Sequence, residues 1–422
     1  MSFTQLDLIM LCAVLGAMLM VLFIAGRVTS HFGLNPELKR KIVHVLTGLV
    51  SLSFPWLFSS ALPVIIMIAC SLLTMAALRS PWLKSHAVST VLHDVQRKSF
   101  GEFYLLISVG LLFTLCFGRE AVLYVLPLAI IALSDTASAL IGTRYGRKHF
   151  TISDGQKSIE GGVAFFTVTL LVSLIVLMLL TNAPDINIIA LSVLLAGFTT
   201  AVESDSWRGL DNIFVPVGAH ILLARLLYLS PQELCFALLI LGVAIIVMHK
   251  LGPLFRLTPH MSRAYTLLIL LILSPSPNAE ILFILLAIGA HLLARRTSPA
   301  DNPNMDMEMI GMTSAVAMMW LFLDRISGME AHPLFNLSFA GAVVIFMGVF
   351  FLRGWRILTP VIAVVICLLY TREISMVPII SLSLCTVVVM VMPKFFSRYR
   401  AVKAYSFAVI VPLITYAIGQ IP

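Results

Sequence analysis

Residues 123–141 read LYVLPLAIIALSDTASALI, a run apolar enough to cross a bilayer except for one carboxylate, Asp135. An acidic side chain placed toward the centre of a spanning helix costs about 2.5–3.5 kcal/mol on insertion scales. Its retention points to a metal, a proton path or a buried ion pair.

The rest of the chain has the same character. Hydrophobic residues make up 60% of the sequence and charged residues 11%, with a mean hydropathy of +1.02; soluble proteins carry about 25% charged residues. The expected fold is an all-α, polytopic transmembrane helical bundle of about 15–16 spans. The spans fall near 6–26, 42–58, 61–78, 100–117, 121–142, 161–181, 187–202, 213–229, 233–248, 264–274, 280–294, 309–323, 335–352, 357–371, 375–392 and 404–421.

Basic residues set the expected orientation, because cytoplasmic loops collect Lys and Arg. One set of alternate loops carries Arg27, Lys39 to Lys41, Arg144, Arg147, Lys148, Lys157, Arg295 and Lys394 among many others. The other set holds Arg119, Arg325 and Arg372, and Arg225 lies inside a span. This asymmetry places both termini on the outer or lumenal face. The net charge of +8 is then a topology signal and an attraction to anionic lipid and phosphate. No exposed basic face with interleaved aromatics is visible, so nucleic acid is not an expected partner. The first segment lacks a basic n-region and its apolar run is too long for a secretory signal, which makes it a retained helix. The six cysteines all fall within spans, without CxxC or zinc-like spacing, and read as small packing residues.

Polar chemistry concentrates between residues 35 and 220 in four patches. The first enters the second span. Glu37, Arg40 or Lys41, His44 and Gly48 lie along one helical stripe, so a cation pair and an imidazole point the same way, as a polyphosphate site would need. The alternative is an interfacial anchor with snorkelling cations. In the second patch, Asp135, Ser138, Gly142 and Gly146 line a carboxylate up with a strip free of bulky side chains. A neighbouring helix can fill such a strip, or a nucleotide whose phosphates reach Asp135 past Arg144, Arg147 and Lys148. In the third, Asp154, Gly155, Lys157, Ser158, Glu160 and Gly161 form a polar loop turning into a glycine-opened helix, where exposed N–H groups can bind phosphate. It is not a P-loop: the upstream glycine is missing and no strand is expected before it. In the fourth, Glu203 ends one span, and Asp211 and Asn212 begin the next. Such a hairpin can join oxygen ligands for a hard cation or simply cap a helix.

In order and spacing, Arg40-Lys41-x-x-His44-x-x-x-Gly48, Asp135 with Gly142 and Gly146, Lys157-Ser158-x-Glu160-Gly161 with Phe165, and Val202-Glu203-Ser204 followed by Asp211-Asn212 and Pro216 resemble the dolichol kinase and phytol kinase family. That family is distantly similar to phosphatidate cytidylyltransferases. One departure is Ser134, where many relatives have Gly. The resemblance covers about residues 35–220. It implies transfer of the γ-phosphate of CTP to the hydroxyl of an isoprenoid alcohol at the cytoplasmic face, with the lipid tail held between helices. It further implies Asp135, Glu203 and Asp211 as Mg²⁺ ligands, Lys157 with Arg40 and Lys41 as phosphate clamps, and Glu160 or Asp135 as the base. His44, Ser138, Gly142, Gly146, Arg147, Lys148, Ser158, Gly161 and Asn212 complete the expected nucleotide site.

The same family includes a CTP-dependent diacylglycerol kinase, so diacylglycerol is an alternative acceptor, and two other readings stand beside it. Transfer of CMP to a lipid phosphate would need a glycine- and histidine-rich signature near Asp211, which is missing. A transporter or flippase would show comparable halves with midplane charges in each, and the C-terminal half has almost none. The expected division is a catalytic module at 1–248 and a helical module at 249–422 whose role is a docking scaffold, a second lipid site or an oligomer interface.

Overall fold

The computed structural model of the 422-residue chain describes residues 5–31, 36–79, 100–152, 155–206, 209–255, 257–273, 278–297, 305–327, 332–350, 358–370, 376–392, 395 and 400–419. Among the described residues all regular structure is helical except one two-stranded hairpin. In chain order the elements are α1 (Gln5–His31), α2 (Pro36–Leu52), α3 (Phe54–Leu57), α4 (Ala61–Arg79), α5 (Gly101–Cys116), α6 (Val122–Tyr145), β1 (His149–Ile152), β2 (Gly155–Ser158), α7 (Ile159–Leu180), α8 (Asp185–Asp205), α9 (Asp211–Leu226) and α10 (Pro231–Leu251). After a 3₁₀ turn come α11 (Pro259–Leu273), α12 (Asn278–Thr297), α13 (Met305–Ser327), α14 (His332–Phe350), α15 (Leu358–Tyr370), α16 (Met376–Val391) and α17 (Ala401–Gly419).

Every apolar run marked in the sequence coincides with a helix. The run at 42–58 is broken in two, because Pro55 lacks an N–H and sits in the first turn of α3, just after α2 ends. Helix α12 continues to Thr297 and α13 starts at Met305, and 298–304 lie outside the described residues. Among the described residues five helices are long and apolar enough to cross a membrane, at Gln5–Val28, Val122–Tyr145, Ile159–Leu180, Asp185–Asp205 and Pro333–Phe350, alongside six shorter apolar helices. The chain is an integral membrane protein.

Helix α7 shows how such a helix is built. Its buried residues, Gly161, Phe165, Thr169, Ser173 and Leu177, recur every four positions. Leu171, Ile175 and Leu179 on its other faces are exposed. Small and hydroxyl side chains inside with large aliphatics outside is the arrangement expected when the surrounding solvent is lipid, since close approach rather than apolar burial drives helix association there.

The chain divides into two compact units, Met1–Val243 and Ala244–Pro422. In the first, α6 is the central helix and packs against α2, α5, α7 and α9. Its N-terminal end sits in a cluster of edge-on rings, Phe54, Phe58, Phe113 and Tyr124, and the Tyr124 hydroxyl donates to the Ser51 carbonyl at 3.0 Å. Its C-terminal end carries Asp135 and leads into the hairpin.

In the second unit α14 is central, packed by α12, α13, α15, α16 and α17, with Phe339 and Phe346 edge-on to Tyr405. Its few charges act as clamps. Asp306 accepts from the Tyr265 hydroxyl at 3.1 Å and lies 3.1 Å from His291 Nε2. Glu308 accepts from Arg400 Nε at 3.2 Å and from the Val402 N–H at 2.9 Å.

Candidate functional site

The site grows from the crossing of α2 and α6. Gly48 has no side chain, and a Cβ built there would lie 2.8 Å from Ala132 Cβ, so α2 can lie directly on α6. Running antiparallel from that crossing, the two residues that share the Gly48 stripe come to face Asp135, one turn along α6. Lys41 Nζ donates to Asp135 Oδ2 at 2.5 Å, and His44 Nε2 lies 3.8 Å from the same oxygen. Lys41 and Asp135 are 5% and 8% exposed. A charge pair this enclosed is costly to desolvate. The Arg40 side chain, the expected partner of Lys41, lies outside the described residues.

A second ion pair comes from the hairpin. Strands β1 and β2 are antiparallel in the register His149 to Ser158 and Phe150 to Lys157, which corrects the expectation of a bare loop between α6 and α7. Gly155 opens β2 at φ 131°, a backbone conformation that disfavours any side chain. Asp154 lies outside the described residues. Strand β2 delivers Lys157 to the end of α8, where its ammonium donates to Glu203 Oε1 at 2.8 Å and to the Glu203 carbonyl. Burial alone would lower the pKa of Lys157. The neighbouring charges of Glu203, Asp211 and Asp135 outweigh it and hold the ammonium above its ordinary value.

Asp211 opens α9 after a turn at Gly209, whose φ is 83°. It accepts the N–H of Asn212 at 3.0 Å, and it lies within electrostatic reach of Lys157, Asp135 and Lys41. The two ion pairs are therefore parts of one cluster of two ammonium and three carboxylate groups.

The three carboxylates expected to bind a metal together are not drawn into one set. Among the described residues no group of three or more His, Cys, Asp or Glu is placed to hold an ion jointly, and Asp135 and Glu203 are each paired with a lysine. The donor chemistry still suits a hard cation: the groups are carboxylate oxygens, and Asn212 Oδ1, beside Asp211, is a buried acceptor with no hydrogen-bond partner. Asp205, two residues beyond Glu203 at the same helix end, is also buried, at 4% exposure.

The small-residue strip on α6 is filled by protein, the first of the two occupants that its spacing allows. A Cβ on Gly142 would meet Ser158 Oγ at 2.9 Å, and one on Gly161 would meet the Ser138 carbonyl at 3.0 Å. At Gly146 a Cβ would collide with the Gly142 carbonyl. Gly142, Gly146, Gly161 and Ser138 thus let the hairpin and α7 seat against α6. Ser158 is the N-cap of α7, accepting the Gly161 N–H at 3.1 Å. Deeper in, the Thr169 hydroxyl donates to Ser134 Oγ at 2.9 Å.

Glu160, a candidate base, is turned to structural use. Both of its oxygens accept from the backbone N–H of Lys148, at 3.2 and 3.3 Å, tying the foot of the hairpin to α7. The side chains of Arg147 and Lys148 are exposed at the same end of the unit.

Over 202 residues, 47% of its length, the chain is 28% identical to a phytol kinase of Synechocystis sp., of which the match covers 84%. No family model matches the chain, and no solved structure matches it. The similarity supports a phytol or polyprenol kinase-like protein without choosing a particular member.

Proposed function

We propose that this protein is a membrane lipid-alcohol kinase that transfers the γ-phosphate of CTP to the hydroxyl of an isoprenoid alcohol. The observation that carries the reading is the convergence of Lys41, His44 and Asp135 with Lys157, Glu203 and Asp211 at one end of the first unit. The similarity to a phytol kinase points to the same chemistry. Phosphoryl transfer asks a protein mainly for positioning and for charge to offset that of the phosphates. A buried set of ammonium and carboxylate groups provides both.

In this reading Lys41 and Lys157 clamp the polyphosphate, while Asp135, Glu203 and Asp211 supply oxygen ligands. Mg²⁺, when bound, neutralises charge on the transferring group. Asp135 or Glu160 accepts the alcohol proton; Asp135 is paired with Lys41, and the Glu160 oxygens share the Lys148 N–H. The site lies on the cytoplasmic face with both termini on the other side, the lipid tail stays between helices, and residues 1–248 form the catalytic module.

The test uses membranes containing the protein, Mg²⁺, and CTP labelled at the α- or the γ-phosphate, offered with phytol, farnesol, a polyprenol, diacylglycerol or phosphatidate. Lipid labelled from the γ-position alone, and lost in Asp135→Asn, is the expected result. Label from the α-position would make the protein a cytidylyltransferase, and no transfer of either would remove the kinase reading.

A further inference from the structure

A cavity opens at the end of α6 away from Asp135, where α5 gives way to α6. Residues 116–119 form a type II turn there: Phe117 has φ −56° and ψ 125°, Gly118 has φ 73°, and the Arg119 N–H donates to the Cys116 carbonyl at 2.8 Å. Arg119 and Glu120, which follow directly, line a cavity of about 70 Å³ together with Phe113, Phe117 and Tyr124. The Phe113 ring lies 6.0 Å from that of Phe117 and 5.6 Å from that of Tyr124, so the polar pair adjoins an aromatic wall. Although neighbours in sequence, the two charges do not pair with each other. Glu120 accepts from the Tyr228 hydroxyl, and among the described residues the Arg119 side chain makes no hydrogen bond or ion pair. Arg119 also belongs to the set of loops that is poor in basic residues, where a cation is not accounted for by topology.

We propose that this cavity binds the head group of a zwitterionic phospholipid carrying a primary amine, with the phosphate on Arg119 and the ammonium at Glu120. A guanidinium presents a planar fork of donors that matches phosphate oxygens. The carboxylate beside it repels a group that is only anionic and accepts the hydrogen bonds of a primary ammonium, which a quaternary amine cannot donate. The Tyr228 hydroxyl fixes that carboxylate from outside the turn. Size agrees with a head group: a single water needs about 10–15 Å³, so the cavity takes a small polar group and excludes the prenyl chain of a substrate. Depth agrees as well. Helix α5 ends at Cys116 and α6, long enough to span, begins at Val122, which puts the cavity at a span boundary. Tyr228 and Trp56, the neighbour of the lining residue Pro55, are exposed, and Trp and Tyr gather at head-group level. From Leu123 to Asp135 the helix runs roughly 18 Å, so a lipid held here is distinct from an alcohol at Asp135, and the site stands whether or not the kinase reading does.

The experiment uses the full-length protein in detergent and counts bound lipid by native mass spectrometry during titration with dioctanoyl phosphatidylethanolamine, phosphatidylcholine or phosphatidylglycerol. The wild type should bind phosphatidylethanolamine about tenfold tighter than either of the others, the size of one charge-assisted hydrogen bond. Arg119→Gln and Glu120→Gln should each lower that affinity about tenfold. Glu120→Gln should also narrow or reverse the preference over phosphatidylglycerol, because the group that repels a bare anion is gone. Both side chains are exposed, so the variants should fold. Should either fail, Ala121→Leu, which adds bulk to the cavity lining, should abolish the preference. Equal binding of the three lipids by the wild type, tighter binding of phosphatidylglycerol, or a preference for phosphatidylethanolamine that survives the substitutions overturns the proposal.

Discussion

Asp135 is held by Lys41 at 2.5 Å with His44 beside it, and at the scale of the single residue this pairing makes separable predictions for activity and for stability. Asp135→Asn keeps the shape and removes the charge, so it should lower kcat by about 10²–10³, the size seen when one preorganised electrostatic group is deleted. Stability should behave differently. Removing one member of a buried pair strands the other at about 3–5 kcal/mol, while removing both is far cheaper. The double variant Lys41→Met/Asp135→Asn should therefore melt closer to the wild type than Lys41→Met does, as thermal unfolding in detergent would read. Equal, additive losses would mean that the pair is not coupled.

The second pair sets a limit on pH dependence. The pKa of Lys157 is raised above its ordinary 10.5. A raised cationic group contributes stability that is full below the ordinary value and is lost only as the pH climbs through the higher folded value. Lys157 should stay charged throughout the neutral range, and the pH–rate profile should show no basic limb from it below about pH 10. A basic limb near pH 8 that disappears in Lys157→Gln would contradict this.

At the scale of the element, the site depends on how closely helices and hairpin approach one another. With Gly48 pressed against Ala132, Gly48→Val would push α2 from α6, since the first added carbon already meets Ala132 Cβ at 2.8 Å. Lys41 and His44 would be carried off Asp135 with it. We expect loss of most activity together with a destabilisation of about 1–3 kcal/mol, measured as catalytic rate and apparent melting temperature in the same preparation. Full activity would show that the crossing does not position the site.

The stripe of Lys41, His44 and Gly48 was legible in the sequence because all three lie on one face of one helix, and a period of 3.6 reports faces. The helical path was legible for the same reason, since apolar runs of near-membrane length leave few alternatives to a helix. The hairpin was not. His149–Ile152 and Gly155–Ser158 are four residues each, too short for alternation to stand out from a polar loop. That protein could fill the α6 strip was legible from its small residues, but that Ser158 does so was not, because it comes from the hairpin end and meets Gly142 only through tertiary packing. Glu160 was expected, as the alternative to Asp135, to be the base that the family resemblance implies. Its actual partner is the backbone N–H of Lys148, a group that every residue but proline carries and that no sequence pattern marks.

At the scale of the whole molecule, the groups of the candidate site, from Lys41 through Asp211, belong to the unit Met1–Val243. That unit has its own central helix in α6 and its own buried aromatic cluster. The unit Ala244–Pro422 has a separate centre in α14 and its own polar clamps at Asp306 and Glu308. A unit with a complete core can fold without its neighbour. Ending the chain after Leu251, at the close of α10, should give a protein that inserts into membranes and retains measurable lipid-kinase activity. The check is transfer from γ-labelled CTP by membranes matched for the amount of inserted protein. Activity retained at a tenth or more of the full chain, about 1.4 kcal/mol in barrier, would make residues 252–422 accessory to catalysis. Complete loss with normal insertion would make the second unit part of the working enzyme, and its place would then be sought in the binding of the lipid, because the charges for phosphoryl transfer already lie in the first.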